Sequence, residues 1–318
     1  MTEDKKIENK QAAGTLKEEL RHFDVHFFKS FTFLPDLAMH FGSLTAKKDF
    51  TRQTGTSVIP DSIGFLFYNI FEDNIDLNKA RKPIDTPYVR IFPFALSQKI
   101  YFRKKVHVTH IVISISADYL KSFLREDTEH FQFLFDSTNN FLVEELMTDD
   151  ILRTVSQIGK NHEPSFMQSY YYKLQAMKLL FYLFESLRKR EKPMYRKLSE
   201  KDIASVYLVR DKICSSLNNP YSIKELKQIA GMNELKLRKI FKQIFGMGIY
   251  DYFQQVRMKE AARLLREQLL SVSEAGYQMG FENLSHFSRV FEKHIGKKPK
   301  KYSNDLKANR ASDPKNKL

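Results

Sequence analysis

The chain has 318 residues, 42% of them hydrophobic and 28% charged, which is enough apolar material for two packed cores and too much for a disordered chain. Its formal net charge of +14 is concentrated late: from Lys201 onward there are 23 Lys and Arg against 12 Asp and Glu, leaving 29 against 26 for residues 1–200. One cysteine, Cys214, excludes an internal disulfide, a thiolate cluster for zinc and a CxxC redox pair, and fits a reducing compartment.

Residues 1–15 are polar and read as a flexible lead. The start "MTEDKKIENKQ" has no apolar core of a secretory signal. The stretch "MKLLFYLFESL" is interrupted by Lys178 and Glu185 and is too short to cross a bilayer, so a cytoplasmic chain with no membrane partner is expected. From about Leu16 to Ile115 the chain runs in short segments of Phe, Val, Ile and Tyr, clearest in "SIGFLFYNIF", "YVRIFPFAL" and "HIVISIS". Pro, Asn, Asp and Gly separate them, which predicts a β-rich barrel or sandwich. Of the 27 Phe, 21 precede residue 190 and would fill a bulky core or an apolar pocket.

From Ala117 to Arg190 the period becomes helical, in "ADYLKSFL", "NNFLVEELM", "DDILRTVSQI" and "YYYKLQAMKLLFYLFESLRKR". Leu174, Met177, Leu180, Phe181 and Phe184 give the last of these a wide stripe for its own core or a partner subunit. The run Tyr170, Tyr171, Tyr172 is read as helix packing. His22 and His26, and His107 and His110, have spacings that a metal site could use. With no carboxylate or third His at telling spacing, ordinary histidines and no metal are expected. No GxSxG, P-loop or GxGxxG stands in a useful context, so no catalytic residue and no cofactor are assigned. Cys214 is read as a small buried residue. The charged, Pro-containing "KREKPMYRKLSEKD" is a linker.

Beyond it the sequence repeats. "SIKELKQIAG" aligns with "SVSEAGYQMG" at an offset of 49: Ser222 with Ser271, Glu225 with Glu274, Gly231 with Gly280. Each opens with Ser-x-x-Glu, a capping box, and closes with a Gly suited to a tight turn. The offset then becomes 50, pairing Asn233 with Asn283, Leu237 with Phe287, Ile240 with Val290, Phe241 with Phe291 and Gly246 with Gly296. A capped helix, a tight turn and a second helix with a basic outer face is the helix-turn-helix layout, here twice. Between the copies, Ile249, Tyr252, Phe253, Val256, Ala261, Leu264 and Leu265 line one face of a helix without internal Pro or Gly. Such a rod, roughly 28 Å long, would set two recognition helices on successive major-groove faces about 34 Å apart. A solvated surface helix would explain the lysines after Ile295 taken alone; the doubled pattern points them at phosphates instead.

The stretch "GYQMGFENLSHFSRVFEKHIGKKPKKY" resembles the signature of AraC/XylS-type bacterial transcription regulators, and "YFQQVRMKEAARLL" resembles their linker helix. The wording "MNELKLRKIFKQIFGMGIYDYF" is similar to the PchR-like subgroup. The resemblance spans Ala204 to Tyr302. It implies an α+β chain with an effector-sensing or dimerisation domain at 1–190, β-rich (cupin-like) and then helical. A linker at 191–203 follows, then an all-α domain at 204–305 with two helix-turn-helix motifs joined by a long helix, and a flexible tail at 306–318. It further implies double-stranded DNA, RNA polymerase, a small-molecule effector and a second copy as partners, and activation rather than repression.

Carried over by position, the resemblance assigns Leu235, Lys236, Arg238 and Lys239 to DNA from the first recognition helix, and Leu284, Ser285, His286, Ser288 and Arg289 from the second. Arg suits bidentate contact with guanine, Ser and His several base edges, and Leu a thymine methyl. Lys242, Lys293, Lys297, Lys298, Lys300 and Lys301 would hold phosphates. Three positions depart from the family pattern. Lys227 replaces a small Ala and must point outward or part the helices; Gly276 stands at the matching place; Glu292 replaces a basic residue. An N-terminal enzyme of the repair or cupin type is the alternative, and the repair type lacks its N-terminal cysteines here. Non-specific nucleic-acid binding is a third view, resting on charge alone.

Overall fold

The structure, a computed structural model, describes residues 20–53, 57, 59–68, 87–96, 99–136, 141–159, 166–190 and 198–311. The expected lead at 1–15, most of the 191–203 linker and residues 312–318 lie outside them. The chain divides into two compact units, one made mainly of residues up to Glu200, the other of Lys201–Lys242 and Met247 onward.

The first unit is built on strands β1 (Phe23–Leu34), β2 (Leu37–Ala46), β3 (Phe50–Gln53), β4 (Ser62–Tyr68), β5 (Tyr88–Pro93), β6 (Lys99–Phe102), β7 (His107–Ser116) and β8 (Val143–Leu146). Six form an antiparallel sheet in the order β1-β2-β7-β4-β5-β8, and β3 pairs with β6. Strand side chains alternate faces, so the register sorts them. Met39, Phe41, Phe65, Phe67, Ile111 and Ile113 share one face, each at most 2% exposed. They bury against Leu120 of α1 (Ala117–Leu124), Ile151 and Val155 of α2 (Asp149–Gly159), and Leu180 and Phe184 of α3 (Gln168–Arg188). Burying each such side chain stabilises the fold by roughly 2 kcal/mol.

The opposite face carries His40, His110, Tyr68, Tyr88 and Arg90 in adjoining register positions. The Tyr68 and Tyr88 rings stack 5.3 Å apart, and His40 meets His110 at 5.8 Å. Phe23, Leu44, Phe102 and Val108 close one end of this face as a second small core.

Two sequence readings change here. "NNFLVEELM", expected as a helix, supplies β8 instead. Leu and Glu favour helices, but Val143–Leu146 pairs with the edge of β5, and the pairing sets Glu144 beside Arg90 at 3.3 Å. That contact outweighs local preference. The stripe on α3 is also rotated: Leu180 and Phe184 are buried with Tyr172, Ala176 and Leu183, while Leu174 is 51% and Phe181 59% exposed. Of the tyrosine run, Tyr172 is buried, its ring 4.7 Å from Phe31 and 5.0 Å from Phe41, and Tyr170 is exposed. Burial pushes the Tyr172 phenol up to about 12. The strands also place the histidines. His107 and His110 fall on opposite faces because an offset of three reverses the strand face. His107 meets His26 instead, at 5.3 Å, and takes a 2.7 Å hydrogen bond with Ser43. Among the described residues no three His, Cys, Asp or Glu side chains are placed to hold a metal ion.

The second unit is helical: α4 (Glu200–Ser215), α5 (Ile223–Ala230), α6 (Glu234–Phe245), α7 (Ile249–Glu267), α8 (Val272–Gln278), α9 (Leu284–Ile295) and α10 (Pro299–Ala311). Cys214 is buried on α4. Helix α10 continues into the stretch expected as a tail, which has no apolar stripe to announce it. No described helix is long and apolar enough to cross a membrane.

The Glu144–Arg90 pair is nearly buried, with side chains 2% and 13% exposed. Removing the carboxylate takes a charged partner from the nearly buried Arg90, so Glu144→Ala is expected to cost roughly 3 kcal/mol, and Glu144→Gln less. Urea unfolding of the full chain checks this; an Ala variant as stable as wild type shows the pair to be idle.

Candidate nucleic-acid interface

The two copies of the repeat fold through the same local contacts. At the start of α5, Ser222 Oγ accepts the Glu225 N–H at 3.3 Å and Glu225 Oε2 accepts the Ser222 N–H at 2.7 Å. At the start of α8 the matching distances are 3.2 Å for Ser271 and 2.8 Å for Glu274. Each box satisfies two amides that the first turn leaves without partners. The serine hydrogen bonds, side-chain first and backbone second, hold both carboxyls below their ordinary range. Gly231 (φ 62) and Gly280 (φ 76) then turn the chain through left-handed backbone. Asn233 and Asn283 cap the helices that follow, their Oδ1 atoms accepting the Lys236 N–H at 2.9 Å and the His286 N–H at 3.0 Å.

Packing behind the two pairs differs. In the second, Gly276 of α8 faces α9 so closely that a Cβ there would lie 2.8 Å from Leu284 Cδ2 and 3.2 Å from the Phe287 ring. The matching Lys227 on α5 is exposed, having taken the outward course, and α8 and α9 make the closer pair. Helix α7 also grips the second turn. Arg257 Nε donates to the Met279 carbonyl at 2.7 Å, with its guanidinium 3.8 Å above the Phe281 ring and 5.3 Å from Phe253. Burial lowers its pKa, but an arginine remains charged in this setting. The residues expected to line α7, from Ile249 to Leu265, are all buried. Sequence reasoning passed over Arg257, although a basic residue between Val256 and Met258, four after Phe253, sits on the apolar stripe.

The candidate contact residues are mostly at the surface. Leu235 is 65% exposed, and Arg238, Lys239 and Lys242 on α6 are exposed. Arg238 pairs with Glu234 one turn back at 2.8 Å, and Lys236 Nζ lies 2.7 Å from Asp202 Oδ1 on α4. On α9, Ser285, His286 and Arg289 are exposed, while Ser288 and Leu284 are half-buried, Leu284 because it fills the space left by Gly276. Among the described residues no carboxylate pairs with Arg289. Glu292, Lys293, Lys297, Lys298, Lys300 and Lys301 are exposed, and Lys297 lies 2.8 Å from Asp305. Asp202 and Asp305 were not singled out in the sequence, because nothing along the chain announces a partner on another helix.

Residues 226–305 match the family model described as "Helix-turn-helix domain". Over 91 residues the chain is 33% identical to the HTH-type transcriptional activator RhaR of Escherichia coli (strain K12), covering 29% of this chain and 32% of that protein. It is 29% identical over 91 residues to the HTH-type transcriptional regulator GlxA of Rhizobium meliloti (strain 1021), covering 29% of this chain and 28% of that one. The chain thus spans about a third of the length of these curated relatives. Among solved structures, the C-terminal domain of the response regulator yesN from Fusobacterium nucleatum is 29% identical, over 31% of this chain and 98% of that one, with a TM-score of 0.29. ToxT from Vibrio cholerae is 15% identical, over 84% of this chain and 98% of that one, with a TM-score of 0.31, too low to carry an argument.

Ala normally stabilises a helix by about 1 kcal/mol over Gly. At Gly276 the Cβ would meet the end of the half-buried Leu284 side chain, which can turn aside, and would press on the Phe287 ring, so Gly276→Ala is expected to realise less than that ~1 kcal/mol, measured by urea unfolding. A gain of the full ~1 kcal/mol contradicts the close crossing. The depressed carboxyls set a pH dependence as well. Their contribution is complete above the unfolded carboxylate range and is lost as pH falls through their lower folded values. Thermal melts across acidic pH should therefore show wild type losing an advantage over the Glu225→Gln/Glu274→Gln double variant; parallel curves mean the boxes are not titrating.

Proposed function

We propose that the chain, whose residues 226–305 match a helix-turn-helix domain, is a one-component regulator of transcription of the AraC type that binds double-stranded DNA sequence-specifically through two helix-turn-helix motifs, α5–α6 and α8–α9. The observation that carries this is the doubled unit: the same capping box, glycine turn and asparagine cap on either side of the 19-residue α7. At about 1.5 Å per residue, α7 is roughly 28 Å long and suits two readers placed one turn of duplex apart, on a site of roughly 20 base pairs. Leu235, Arg238 and Lys239 would enter one groove, and Ser285, His286, Ser288 and Arg289 the next. Lys242, Lys293, Lys297, Lys298, Lys300 and Lys301 would neutralise phosphates.

Activation through RNA polymerase is the direction suggested by the relative RhaR, whose name is that of an activator. The domain scheme is 1–190 for sensing or dimerisation, 191–203 as linker, 204–305 for DNA and 306–318 as tail, with α4 and α10 reaching into the flanking stretches. A cupin-like reading of the first unit is supported by its antiparallel sheet and the smaller β3–β6 pair. A small polar effector is supported by the face bearing His40, Tyr68, Tyr88, Arg90 and His110. Exposed Tyr170, Leu174 and Phe181 on α3 support a homodimer. The chain acts in the cytoplasm, where its DNA is, by binding and without catalysis.

The test is Arg289→Ala, in full-length protein, on a duplex selected from a random pool. Binding should weaken by about 1–3 kcal/mol with relaxed preference at one base step. A variant as tight and as selective as wild type removes Arg289 from the readers.

A further inference from the structure

The repeat lets one motif serve as the control for the other. Behind the second recognition helix the packing is close: Gly276 admits Leu284 and Phe287, and buried Arg257 holds the Met279 carbonyl. The first motif has neither device. Lys227 occupies the position of Gly276 and is exposed, and at the same offset of 49 the exposed Leu208 occupies the position of Arg257. Leu237, Phe241 and Ile244 bury α6 much as Phe287 and Phe291 bury α9, and α6 is joined in addition to α4 by the 2.7 Å contact of Lys236 Nζ with Asp202 Oδ1, the carboxylate side chain only 18% exposed. A cation in the first turn of a helix faces the positive end of the dipole, so Lys236 gains from a carboxylate brought to it. With its ammonium committed to α4, it is not extended toward a groove.

We propose that Asp202 and Lys236 form a clamp that seats the first recognition helix, so that Lys236 is a positioning residue rather than a DNA contact and Asp202 helps to determine specificity at the first half-site. This rests on the DNA-binding reading above and adds an asymmetry to it. A half-exposed ion pair is worth roughly a two- to five-fold bias in an equilibrium and is screened as salt rises. Apolar packing, which both recognition helices have, is not screened in this way, and among the described residues His286, at the place matching Lys236, makes no ion pair. Sequence discrimination beneath the first motif therefore weakens with ionic strength, while discrimination beneath the second holds.

The experiment selects binding sites for the full chain from random duplexes at about 50 mM and about 200 mM salt, and scores base preference beneath each motif. Wild type should lose roughly two- to five-fold of its preference at the first half-site between the two conditions, with the second unchanged. Asp202→Asn should show the weakened first half-site already at low salt, with the slope of log affinity against log salt unaltered because no phosphate contact is lost. Asp202→Lys with Lys236→Asp should restore the preference, and the intact second half-site shows that each variant is folded. The clamp is overturned if Asp202→Asn leaves the first half-site as in wild type. It is overturned equally if Lys236→Gln lowers the salt slope by about 0.9, the mark of a lost phosphate contact. A wild-type chain that selects no sequence at all defeats the regulator reading itself, and the clamp with it.

Discussion

The C-terminal unit depends on the buried face of α7. Tyr252, Phe253, Val256, Ala261, Leu264 and Leu265 are among the buried residues of a single uninterrupted helix, and α6, α8 and α9 pack against it. Phe241 of α6 meets Tyr252 with ring centroids 5.4 Å apart, and Met279 and Phe281, after α8, close around Arg257. A helix of this length would be marginal on its own, so its order comes from the packing it organises. The spacing of the two pairs is thereby set by a rigid count of residues rather than by a flexible tether.

Within that frame the two pairs show how one local pattern can be seated by different forces. The capping contacts agree to within a few tenths of an ångström because they are made between residues three apart and need nothing from the rest of the molecule. The helix crossings behind them depend on distant partners and have diverged. The second relies on close apolar contact around Gly276 and on a buried guanidinium lying over an aromatic ring. The first keeps Lys227 in water and bridges α4 to α6 through an ion pair. Close packing is indifferent to salt and intolerant of added volume, whereas an exposed pair is the reverse.

The same division explains how much was legible in the sequence. Ser222, Glu225, Gly231 and their counterparts announce helix ends at short range, and the stripe on α7 follows a 3.6 period, so the helices from α5 to α9 could be drawn from the sequence. Strands β4, β5 and β7 were visible as apolar runs between turn residues. Val143–Leu146 was misread because its fate is decided by an open edge on β5 and by Arg90, neither of which lies nearby in sequence. The stripe on α3 was placed one face off because Leu174 and Phe181 are apolar yet exposed, and hydrophobicity alone cannot say which side meets the sheet. At the candidate interface, residue types were legible but their engagements were not, as Asp202 beside Lys236 and Glu234 beside Arg238 show.

Hydroxyl-radical footprinting of the full chain on a selected duplex tests the central claim, that α7 spaces two groove readers on one chain. It should show two protected patches on one face of the duplex, centred about 10 base pairs apart. A single protected patch, or protection that follows salt and ignores sequence, would contradict it.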